Sequence, residues 1–200
     1  MHEGFQFPTA IIRVQYHLLG GRRRLLAIAC ICLAALVAGT MALRQLLWHA
    51  KPAVLAGWIL NGLAAVQIVV VALGGCHAVY RAMLRDHDAK MLESHRLTPM
   101  SNLTVVIGYL FGSTIQILVV LAVIALFGCA LTFLGGYPVA DWVYGNALLL
   151  NSAVTLWSIV LLAGLHASKP INPAPLILGV VVLGNVGVVA VPAAGVLLCA

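Results

Sequence analysis

The chain has 200 residues, 63% of them hydrophobic and only 8% charged, with a mean hydropathy of +1.09. A soluble domain carries roughly 25% charged residues and has no means of hiding this much apolar surface, so the solvent that fits is lipid. The net charge of +6 does not mark a nucleic-acid binder, because the basic residues flank apolar runs instead of lining one surface.

The first residues are not a secretory signal. Residues 2–24 hold Glu3, Pro8, Arg13 and the cluster Arg22, Arg23, Arg24, with no cleavage site after a short apolar core. Within them, residues 8–19 (PTAIIRVQYHLL) set Ile11, Ile12, Val14, Leu18 and Leu19 on one broad arc, with Arg13 and His17 opposite. An amphipathic helix lying on the inner leaflet fits this pattern, and an ordinary juxtamembrane extension is the alternative.

Apolar runs long enough to span a bilayer, about 20 residues each, follow at 25–43, 54–80, 103–126, 143–166 and 175–199. The second is longer than a bilayer needs, and the third runs on toward Leu134. No strand alternation is sustained anywhere. The fold class is therefore all-α, a polytopic transmembrane bundle of about five spans, and residues 1–200 form a single domain. Cys30, Cys32, Cys76, Cys129 and Cys199 lie in or at the ends of apolar runs without a CxxC pair, and read as small core residues.

Lys and Arg set the orientation. With the N-terminus cytoplasmic, the inner side holds Arg13, Arg22, Arg23, Arg24, Arg81, Arg85, Lys90, Arg96 and Lys169. Of the 11 basic residues only Arg44 and Lys51 then lie outside, as the positive-inside rule prefers. Trp48, Tyr137 and Trp142 fall at the outer boundary. The expected location is the cell inner (plasma) membrane.

One polar island interrupts the oil. Residues 81–102 carry basic residues, the acids Asp86, Asp88 and Glu93, and the histidines His87 and His95. Helix is expected over 84–97, ended at Thr98-Pro99 because a residue before proline is pushed out of the helical region. On residues alone, the island admits a solvated loop that fixes topology, a metal or hydrolytic site, or a docking helix. The metal reading uses His87, Asp88, Glu93 and His95, whose spacing matches no HExxH-type zinc pattern.

The stretch LESHRLTPMSNLTVVIGYLFG, residues 92–112, resembles the cytoplasmic segment of ABC-2 type transporter permeases. The resemblance is carried by Leu92, Glu93, Leu97, Thr98, Pro99 and Ser101, with Gly108 and Leu110 opening the next span. Lys90 and Met91 stand where that family has glycine and threonine, and Tyr109 where lysine is common. The resemblance implies an exporter permease whose segment between the second and third spans is a coupling helix contacting a nucleotide-binding subunit. Leu92 and Leu97 would then fill a groove in that subunit, Glu93 and Arg96 make polar contacts, and Thr98-Pro99 fix the corner. It also implies that the 8–19 helix is an elbow helix, that two permease units assemble, and that a further span follows Ala200, so the sequence is expected to be part of a longer chain. No GxxxxGK[ST] loop is present, so this chain is not expected to be an enzyme; ATP and Mg would be bound by the partner ATPase, and no cofactor is expected here.

Inside the spans there is no Asp, Glu, Lys or Arg well below the surface, which weighs against a proton- or sodium-coupled carrier. Polar residues do occur there: Asn61, Gln67, Ser113, Thr114, Gln116, Asn151, Thr155 and Asn185. Gly108, Gly112 and Gln116 recur every four residues and share one face, suited either to close helix packing or to lining a pathway. Two other functions stay open: a haem-binding electron-transfer subunit using His77 and His166, and a membrane scaffold without transport.

Overall fold

The computed structural model describes residues 20–88 and 102–166, which are helical throughout apart from two tight turns. Helix α1 is Gly21–Leu46, α2 is Pro52–Val69, and a π-helical segment, Val70–Gly75, joins α2 directly to α3, Cys76–Asp88. Helix α4 is Asn102–Gly135 and α5 is Val139–His166. Among the described residues, four helical runs are long and apolar enough to cross a bilayer: Gly21–Leu46, Pro52–Arg85, Val106–Gly135 and Val139–Gly164. The chain is a multi-pass membrane protein of antiparallel helices. The first four expected spans coincide with these runs; the fifth, at 175–199, and the elbow helix, at 8–19, lie outside the described residues.

The turns at one end of the bundle follow from local chemistry. Between α1 and α2, Leu47 donates its N–H to Leu43 O at 2.9 Å, and Ala50 donates to Leu47 O at 2.9 Å. Lys51 is extended (φ −60, ψ 140) ahead of Pro52, which starts α2 with the one residue whose missing N–H costs nothing there. Between α4 and α5 the sequence GGYP makes a Schellman closure. Gly136 has φ 73 and donates to Phe133 O at 3.4 Å, while Tyr137 N–H reaches back to Thr132 O at 2.9 Å. Asp141 in the first turn of α5 sits favourably against the positive end of the helix dipole.

Helix α4 is apolar on every side, as a central helix should be, and it packs against α1, α2, the π segment, α3 and α5. Helix α1 is peripheral. It has no buried residue and packs on α4 through a half-buried seam at Leu25, Ile28, Cys32, Leu36, Thr40 and Leu43, the spacing of a coiled-coil edge. The best-packed core lies where the π segment and α3 meet α4 and α5: Val71, Ala72, Cys76 and Val79 against Tyr109, Leu110, Ala153, Leu156, Trp157 and Val160.

The π segment has a geometric reason. Buried positions on the second span recur at Leu63, Gln67, Val71, Gly75, Val79 and Met83, every four residues. An α-helix turns in 3.6 residues, so a strict four-residue stripe would wind away from the core. The wider π turn takes up the surplus and keeps the stripe on one side.

Candidate functional site

Aromatic side chains from the α4–α5 turn and α5 dock onto neighbouring backbones in one repeated way. Trp157 is fully buried; its indole N–H donates to Val71 O at 3.1 Å, and its ring lies where a side chain on Gly75 would have to go. Trp142 donates to Ala125 O at 2.9 Å, with its ring over Gly128. Tyr137 donates to Ala53 O at 3.0 Å, and a Cβ on Gly57 would stand 2.7 Å from its hydroxyl oxygen. In each case a glycine three or four residues after the accepting carbonyl clears the approach. Within lipid every polar group must find a partner inside the protein, so these indole donors are aimed at backbone rather than left bare.

A polar chain crosses the same bundle. Gln67, 2% exposed, donates to the side-chain oxygen of Asn146 at 2.8 Å. Asn146 donates in turn to Trp142 O at 2.9 Å. Gln67, Asn146, Trp142 and the Ala125 carbonyl thereby tie α2, α5 and α4 together. The chain consists of neutral amides and an indole, with no nucleophile, acid or base. It can set helix register and carry a displacement; it offers nothing for bond chemistry. Of its side chains, Gln67 is legible in the sequence as a polar residue within a span. Asn146 is not singled out there, although it stands one helical turn after Trp142 on the same face.

Gly108 and Gly112 are buried and Gln116 is half-buried, so the face predicted from their spacing lies within the bundle. The adjoining hydroxyls turn back on their own helix: Ser113 donates to Tyr109 O at 2.6 Å, and Thr114 to Leu110 O. Leu92, Glu93, Arg96, Leu97, Thr98 and Pro99 lie outside the described residues. What the structure does describe is their attachment. Leu84, where the coupling helix is expected to start, lies inside α3, and that helix runs unbroken from the π segment to Asp88. His77 is exposed on α3, and no group of metal-capable side chains gathers among the described residues.

Lengths show where the flanking helices end. The run Pro52–Arg85 has 34 residues and α4 has 34, roughly 51 Å each against a hydrocarbon layer of about 30 Å. At the turn end the two are level, since Tyr137 bonds Ala53 and a Cβ on Gly135 would lie 2.9 Å from the Cβ of Ala56. The surplus therefore emerges at the opposite end, where Arg81 and Arg85 are exposed and where both helices lead into residues 89–101. Arg22, Arg23 and Arg24 open α1 at that same end. No family model, curated protein or solved structure matches the chain.

Proposed function

We propose that this chain is the membrane-spanning permease subunit of an ATP-driven exporter of the ABC-2 type, worked through residues 84–97 by a separate ATPase subunit. The observation that supports it best is the pair of overlong helices, α2–α3 and α4, level at one end and projecting at the other. They would hold the segment with the ABC-2 motif clear of the lipid, on the face richest in arginine, which is cytoplasmic by the positive-inside rule. ATP and Mg belong to the partner, and a second permease unit completes the pathway.

The lever follows from the packing. A force on Glu93 and Leu97 would pass up α3 to the π segment, which Trp157 ties to α5, and on to Gln67, which Asn146 ties to the same helix. Tilting the second span therefore carries α5 with it. The amide chain needs no ionisable group because the energy arrives mechanically from the ATPase.

The test is coupling. In the reconstituted complex, Glu93→Lys and Pro99→Leu should each uncouple transport from ATP hydrolysis while leaving membrane insertion unchanged. Normal coupling in both variants would sink the proposal.

A further inference from the structure

One face of α5 is spaced like a helix seam, yet among the described residues nothing covers it. Tyr144, Leu148, Asn151, Thr155 and Leu162 are exposed, with Ser158 half-buried between the last two. Their alternating steps of four and three residues are those of the a and d positions of a heptad. The opposite side of the helix, at Ala153, Leu156, Trp157 and Val160, is buried against the core. The centre of the seam is polar where lipid tolerates it least. Helix α5 runs from Val139 to His166, so its midpoint falls between Ser152 and Ala153, and Asn151 stands about 2 Å from it along the axis. The hydroxyls are satisfied along their own helix, Ser152 on Leu148 O at 2.9 Å and Thr155 on Asn151 O at 3.0 Å. The Asn151 amide has no partner among the described residues. An amide left bare in hydrocarbon is costly, and nothing in lipid can satisfy it.

We propose that a second copy of this chain covers the face, with two α5 helices side by side and the Asn151 amide of each paired to its counterpart. Membrane topology supports this occupant. Two copies inserted in the same orientation are related by a two-fold axis along the bilayer normal, so near that axis each α5 residue meets its own counterpart at the same depth. The pairing then works only for a side chain complementary to itself. An amide is, because it donates through nitrogen and accepts through oxygen. The hydroxyl oxygens of Ser152 and Thr155, whose protons go to α5 carbonyls, keep lone pairs for the same amides. Between Trp142 and Gly164 no charged side chain stands to repel its counterpart across the axis. A partner of another sequence would have to place a polar group at this depth, whereas a copy brings one by necessity. Tyr144, Leu148 and Leu162 extend the contact on either side, and the lone amide between them fixes the register. The inference does not rest on the exporter reading, because the coupling residues take no part in it.

Cross-linking and dilution test it together. In a full-length chain with Cys30, Cys32, Cys129 and Cys199 replaced by Ala, the fully buried Cys76 is kept and single cysteines are introduced in native membranes. Leu148→Cys and Thr155→Cys, on the seam, should give disulfide-linked dimers on oxidation. Val143→Cys and Leu150→Cys, exposed but off the seam, should not. Energy transfer between labelled copies in vesicles then measures association as the protein is diluted into lipid. Asn151→Leu should weaken it roughly 3- to 20-fold, the range of one interhelical hydrogen bond in membranes. Its thermal unfolding in detergent should match wild type, since the amide touches nothing within the chain. Dimers from none of the four cysteines, or equally from all of them, would overturn the inference. So would unchanged association of a folded Asn151→Leu, or a wild type that stays monomeric at every dilution, which would give this face to another segment of the chain or to another protein.

Discussion

Glycine and an aromatic ring form the recurring contact of this bundle, and its energetics differ from those of a soluble core. Lipid is as apolar as leucine, so helices do not associate to escape their solvent; close packing and hydrogen bonds decide. Gly75 therefore matters for what it lacks. Alanine there places a methyl group inside the Trp157 indole, so Gly75→Ala should destabilise the protein by about 1–3 kcal/mol. Gly39→Ala and Gly62→Ala meet no atom within 4 Å and should change stability by less than about 0.5 kcal/mol. Thermal unfolding in one detergent compares all of them, and equal losses at the three positions would contradict the packing described. The Gln67–Asn146 bond carries its own test. A double-mutant cycle with Gln67→Leu and Asn146→Leu should give a coupling of roughly 0.6–1.7 kcal/mol, the range of interhelical hydrogen bonds in membranes. A coupling of zero would separate the two side chains.

Helix ends and helix irregularities behave differently when read from sequence. The GGYP turn is legible because its chemistry is local: only glycine takes φ 73 without strain, and the proline bars the helix from running on. Gly136→Ala should cost roughly 1–2 kcal/mol although its methyl group would touch nothing, and Gly136→Asn should cost less. Equal stability of the alanine variant and wild type would argue against the left-handed turn. The expected spans at 25–43, 54–80, 103–126 and 143–166 all lie within observed helices, because apolar runs of this length have no other stable form in lipid. The π segment was not legible. VVALGG reads as ordinary helix, and only the four-residue stripe of buried positions, a property of the partner helices, calls for the wider turn. For the same reason the bond from the Trp142 indole to the Ala125 carbonyl of α4 was not legible, although the place of Trp142 near the end of a span was.

For the molecule as a whole, α4 is the axis around which α1, α2–α3 and α5 are arranged, and residues 89–101 stand between α3 and α4 in the sequence. The polar island is legible in the sequence because a short charged stretch between two apolar spans stands out by composition; the coupling residues proposed on it lie outside the described residues. The connection from the second span to α5 through Trp157 and Asn146 was not legible, because it depends on which helices touch. Under the proposed function, a partner subunit grips residues 84–97. The measurement that addresses this most directly is co-purification. The tagged protein is solubilised from its native membrane in mild detergent, and wild type is compared with Glu93→Lys. The account predicts that an ATPase with a phosphate-binding GxxxxGK[ST] loop comes with wild type and is lost from the variant. Recovery of no such ATPase with either protein would contradict it.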